Sequence, residues 1–181
     1  MKNSARIMLT TEDGQQEALC QDCYNEDLSV ELGIPLEKQP KSFTVKDANG
    51  AVRHFTVEKT LFPMGISLEA VETIGYGYKY GVHGELECDQ QQLFQKLVSK
   101  VKRGVARNYI KEVHMPNGIK VNSMTGDRLV GRIEYSEETG DVPLLIIDGK
   151  PYTWDEIGKI LMSNEGFQFR LDIIDMTDDA N

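Results

Sequence analysis

No apolar run in the sequence approaches the ~18 residues that a bilayer-spanning helix needs, so no membrane contact of that kind is expected. The opening stretch, Met1-Lys-Asn-Ser-Ala-Arg-Ile-Met-Leu-Thr10, lacks the hydrophobic core of a secretory leader. Cysteine is scarce. Cys20, Cys23 and Cys88 make an odd count, which does not suggest a disulfide framework and fits a reducing, cytoplasmic compartment. Basic residues are outnumbered, with 20 Lys and Arg against 29 Asp and Glu, a net charge of −9. An acidic surface repels phosphate backbones and anionic lipid, so bulk charge argues against non-specific nucleic-acid or membrane association. A nucleophile elbow, a P-loop, a dinucleotide fingerprint and an HExxH helix are all missing. Gly75-Tyr-Gly-Tyr-Lys-Tyr-Gly81 is glycine-rich but has neither the GxGxxG spacing nor a helix after it, which excludes a phosphate loop.

What is present is ordinary globular composition: 40% hydrophobic and 27% charged residues, enough to bury a core. Residues 1–40 read as a small unit. Arg6-Ile-Met-Leu-Thr is strand-like, Glu12-Asp-Gly14 is a turn signal, and Glu17-Ala-Leu-Cys20 returns as a second strand. Asp22–Leu32 reads as a short helix stopped by Gly33, and Ile34–Lys41, with two prolines, as a linker.

Residues 41–176 read as an α+β domain. Ser42-Phe-Thr-Val-Lys46 and Arg53-His-Phe-Thr-Val-Glu-Lys59 alternate with period two around the turn residues Asp47-Ala-Asn-Gly50. Strands follow over Ile66–Ile74 and Tyr76–Glu87, the first with a helical alternative. Asp89 is a candidate N-cap for a helix through Ile110. Its residues Leu93, Phe94, Leu97, Val98, Val101, Val105 and Tyr109 form one apolar stripe, on a helix long enough at ~30 Å to cover a four-stranded sheet. Gly104 within it requires either a close neighbour or a bend. Leu129–Tyr135 and Pro143–Asp148 read as strands, and Thr153-Trp-Asp-Glu156 as a capping box opening a helix. The clean alternation of Phe167-Gln-Phe-Arg-Leu-Asp-Ile173 predicts a final strand with one face buried. Residues 177–181 form an acidic tail expected to be disordered. The expected fold class is thus α+β, a mostly antiparallel sheet packed against a long amphipathic helix, with a small zinc-finger-like unit at the front.

Few residues carry chemistry. Cys20-Gln-Asp-Cys23 has the spacing of a zinc knuckle, but a closed site needs four ligands and Lys2–Arg6 offers no cysteine or histidine. The pair is therefore a relic finger, half of a site completed by distant ligands or a second chain, or two buried thiols. A thioredoxin-like redox pair is not expected, because the strands that follow are antiparallel. Lys100, Lys102, Arg103 and Arg107 form a basic helical face that could touch phosphate, weighed against a solvated face that suits the helix dipole. His54 and His83 suit acid–base chemistry only beside a carboxylate. With Tyr78, Tyr80 and Trp154 they are candidate ligand- or partner-binding residues, although a tryptophan at the start of an amphipathic helix, as Trp154 is, more often packs on a sheet.

Three stretches together resemble an uncharacterised bacterial protein family: Cys20-Gln-Asp-Cys-Tyr-Asn25; His54-Phe-Thr-Val57 through Leu68-Glu-Ala-Val-Glu72 to Lys102-Arg-Gly-Val-Ala106; and Ile147-Asp-Gly-Lys150 through Trp154–Lys159 to Glu165–Phe169. The resemblance implies a degenerate zinc-ribbon-like start and no known activity. A non-enzymatic binding or regulatory protein is the expected function, with a protein partner or a homo-oligomer. The alternatives are nucleic-acid association through residues 96–111 and a small hydrolase or transferase with a histidine–carboxylate site.

Overall fold

The computed structural model of the chain describes residues 7–10, 15–138 and 140–180. The turn expected at Glu12-Asp-Gly14 lies outside them. Strands β1 (Ile7–Thr10) and β2 (Gln16–Leu19) pair antiparallel. Helix α1 (Gln21–Leu32) follows, closed by Gly33 in the left-handed region at φ 67°, where a Cβ would be strained.

An antiparallel meander forms the main sheet, β3 (Ser42–Lys46), β4 (Val52–Phe62), β5 (Gly65–Glu72) and β6 (Lys79–Gly84), in that spatial order. Alternation decides its faces. Phe55 and Leu61 of β4, Ile66, Leu68 and Ala70 of β5, and Val82 of β6 are all fully buried on one side. Helix α2 (Gln90–Val105) covers that side, and Leu93, Leu97, Val101 and Val105 complete the core. Each such side chain contributes ~1.5–3 kcal/mol through burial.

Asp89 caps α2 by accepting from Gln92 N at 2.9 Å. The helix ends at Val105, short of the expected Ile110. Two contacts draw the chain away. Val105 O accepts from Ala48 N at 2.9 Å. The Asp148 carboxylate accepts from Tyr109 N and Ile110 N, each at 2.8 Å at the nearer oxygen. Tyr109, read as part of the helical stripe, therefore leaves it. Gly104 has the close neighbour its position demanded: the Tyr80 ring packs against it, and any Cβ there would overlap that ring.

The second half contains a hairpin, β7 (Ile110–His114) and β8 (Lys120–Met124), then a three-stranded sheet in the order β11 (Lys150–Tyr152), β10 (Leu144–Ile147), β9 (Arg132–Glu134). Helix α3 (Trp154–Leu161) opens with the expected capping box: Glu156 N donates to Thr153 Oγ1 and Thr153 N to Glu156 Oε2. Ile147, Tyr152, Ile157 and Ile160 form a second, smaller core. The β7–β8 strands are not among those the sequence pattern predicts. The architecture is mixed α and β, mostly antiparallel, with three helices.

The expected final strand is the main departure. Residues 168–174 make no backbone hydrogen bond to any described residue, and every residue from Glu165 to Asp175 is exposed. Phe169 is 89% exposed and Leu171 67%. The alternating pattern is present, but among the described residues no neighbouring strand pairs with it.

Candidate partner-binding surface

Among its described residues the front unit is the β1–β2 hairpin followed by helix α1. Cys20 is the N-cap of α1, its sulfur accepting from Cys23 N at 3.1 Å, and the two sulfurs lie 2.8 Å apart within hydrogen-bond reach, without a disulfide between them. The hydrogen bond to Cys20 raises the Cys23 pKa above its usual value. Among the described residues, no group of three cysteine, histidine or acidic side chains is arranged to hold a metal ion. Cys20 does begin a helix after a strand, as a redox pair requires, but that strand belongs to an antiparallel hairpin and not to a βαβ unit.

Helix α1 is fastened to the main sheet by its buried Asn25. That side chain donates to Lys59 O at 2.8 Å and accepts from Leu61 N at 2.9 Å. Strand β3 ends at the level of Thr56, so the outer groups of β4 beyond it would otherwise be unpaired, and Asn25 stands in for a strand there.

At the other end of the sheet Arg53 lies between two buried carboxylates. Its Nε and Nη2 each reach Asp47 Oδ2 at 2.8 Å, and its Nη1 reaches Glu72 Oε1 at 3.1 Å. Burial pushes Asp47 upward, but Arg53 and the amides of Ala51 and Asn49 outweigh it and hold the carboxyl below its ordinary range. The Arg53 guanidinium also sits 5.7 Å from the centre of the Tyr78 ring, which stacks on Tyr80. Burial raises both phenols, leaving them neutral. Tyr78 and Tyr80 thus serve the junction between the two halves, where Gly149 packs against Tyr78.

The remaining candidates are scattered. His54 is exposed on β4, and His83 is exposed on β6 with its ring 3.2 Å from Ser67 Oγ. Among the described residues neither ring is paired with a carboxylate. Trp154 is 45% exposed at the start of α3, so it does not pack fully against a sheet. Lys100 is buried and donates to the carbonyls of Gly81, Met176 and Asp178, at 3.1, 2.8 and 2.6 Å. Arg103 pairs with Asp179 at 3.0 Å. The acidic end of the chain thus occupies two of the four cations expected to face phosphate, while Lys102 and Arg107 stay exposed. Arg107 and Arg128 line a shallow, open cleft of about 380 Å³.

The residues that stand out were not singled out as a site by their sequence. Phe167, Phe169, Leu171 and Ile173, alternating with Gln168, Arg170 and Asp172, and then Ile174, present their apolar side chains to solvent. The two ends of this segment are fixed. Phe167 N donates to Asn164 O at 3.0 Å, and Lys100 holds the carbonyls of Met176 and Asp178. Arg170 Nε reaches Asp172 Oδ1 at 3.0 Å, as side chains two apart do on one side of an extended chain. The signal lies in the period-two alternation, which does not say that no described strand pairs with the segment.

Residues 37–106 match a family model described as a domain of unknown function (DUF7686), and residues 109–178 match another, also a domain of unknown function (DUF7713). The two matches meet in the loop where α2 gives way to β7, and they support a relationship to an uncharacterised family. No curated protein and no solved structure gives a match.

Proposed function

We propose that this protein is a non-enzymatic binding protein that engages a protein partner through residues 167–174, by adding that segment as a strand to a sheet edge. The observation that carries this is the exposure of the Phe167–Ile174 side chains together with a backbone over 168–174 that no described residue pairs with. Free amides and carbonyls supply affinity in strand addition, and alternate side chains supply specificity. Exposed apolar side chains occurring singly need no explanation, but five within eight residues, four of them at every second position, fit an interaction site. The tethered ends limit the ordering cost on binding, because the segment is already held at both sides. Phosphate contact along α2 is the weaker reading, since Lys100 and Arg103 are engaged by the chain's own acidic end.

The test is photo-crosslinking in the cells that make the protein. A photoreactive residue is placed at Leu171 and, as a control, at Val30, which is apolar and exposed on α1. A protein adduct from position 171 and none from position 30 is expected. No adduct from position 171 would overturn the proposal.

A further inference from the structure

We infer that the strand's partner is a second copy of this chain, and that residues 169–173 pair antiparallel with the free edge of β9 in that copy. The inference rests on the docking-strand reading above and names its occupant. Strand β9 is an outer strand of the three-stranded sheet, hydrogen-bonded among the described strands to β10 alone. Along its open edge the sequence is Gly131-Arg-Ile-Glu-Tyr135. In this register Arg170 lies opposite Glu134, Asp172 opposite Arg132, Leu171 opposite Ile133, Phe169 opposite Tyr135 and Ile173 opposite Gly131.

Every charged position in the register meets its opposite, and residues directly across an antiparallel pair share a face. Arg132 and Glu134 already pair within β9 at 2.6 Å, as Arg170 and Asp172 do within their own segment at 3.0 Å. Docking therefore makes a four-member alternation of charge on one face. On the other face Ile133 and Tyr135 are 50% and 70% exposed and would be covered by Leu171 and Phe169. A parallel arrangement would instead place Arg170 against Arg132 and Asp172 against Glu134. Two segments pairing only with each other would make an isolated ribbon, which is marginal in water; joining β9 extends a sheet to four strands.

Why a second copy and not the same chain follows from the tethers. Asn164 fixes one end of the segment, and Lys100 and Arg103 fix the other, while no described residue of the same chain pairs with the outer edge of β9. Reciprocal exchange between two copies satisfies both edges at once and closes as a two-fold dimer.

The experiment is sedimentation of the full chain at micromolar concentrations, with circular dichroism to confirm folding of each variant. Wild type is expected to sediment as a dimer. Arg170→Glu and Glu134→Arg, each alone, put like charges across both contacts and are expected to weaken association by about tenfold or more. An equal mixture of the two variants is expected to associate as wild type does, because each contact in the mixed dimer again joins opposite charges. A monomeric wild type would overturn the second-copy inference, and crosslinking at Leu171 to a different protein would show that the docking strand itself survives. Insensitivity to Glu134→Arg, or a mixture that stays monomeric, would overturn the β9 register.

Discussion

The Asn25 carboxamide accepts the amide proton of Leu61 at 2.9 Å while donating to the carbonyl of Lys59, so one helical side chain completes the hydrogen bonding of a strand edge. Its replacement by leucine would keep the volume and leave a buried amide and a carbonyl without partners. A loss of about 2–4 kcal/mol is expected, each orphaned group costing ~1–3 kcal/mol. Urea unfolding of Asn25→Leu measures it; an unchanged midpoint would mean that α1 is not anchored this way.

Arg53 makes stability depend on acid. The Asp47 carboxyl is depressed in the folded state, so its contribution is fully present above the unfolded carboxylate pKa and is lost as pH falls through the folded one. Thermal melts of wild type between neutral pH and strong acid should therefore fall more steeply than those of Asp47→Asn. At neutral pH that variant should be less stable by about 3–5 kcal/mol, the cost of leaving Arg53 and the Ala51 and Asn49 amides poorly paired. Parallel melting curves for the two proteins across the acid range would contradict the assignment.

Gly104→Ala reverses the usual sign. In an open helix the change stabilises by up to ~1 kcal/mol. Here the new methyl overlaps the Tyr80 ring, and overpacking should give a net loss of about 1–3 kcal/mol. Chemical denaturation distinguishes the two outcomes directly.

Lys100 holds the chain's acidic end through three carbonyls. Lys100→Met keeps the stem and removes the donors. Limited proteolysis should then cut between Ile174 and Asp179 several times faster than in wild type, with the main-sheet core still protected. Equal cutting rates would show that the end is held by other contacts.

How far the fold was legible depends on the range of the interactions. Helix α2, its Asp89 cap, the Thr153 capping box and the Gly33 stop are local signals, written within a turn or two of chain, and they were readable. The true end of α2 was not, because Asp148 sets it from nearly forty residues away. Asp47 was recognisable as a turn residue but not as a partner of Arg53, and Asn25 gave no sign that it would complete a strand. Lys120–Met124 has one apolar β-branched residue and reads as loop; its pairing with β7 makes it a strand. The candidate site was half legible. Alternation over Phe167–Ile173 identified strand-forming chain, but burial of one face was inferred from that alternation alone, and the described structure offers no neighbour to bury it.

Hydrogen exchange of the amides at 168–174, followed as a function of protein concentration, tests the central claim most directly. The account predicts exchange at the rate of open chain in high dilution and protection of roughly tenfold or more once the protein is concentrated enough to associate. Protection that is already complete at high dilution would mean that the strand is paired inside a single chain, and the docking role would be contradicted.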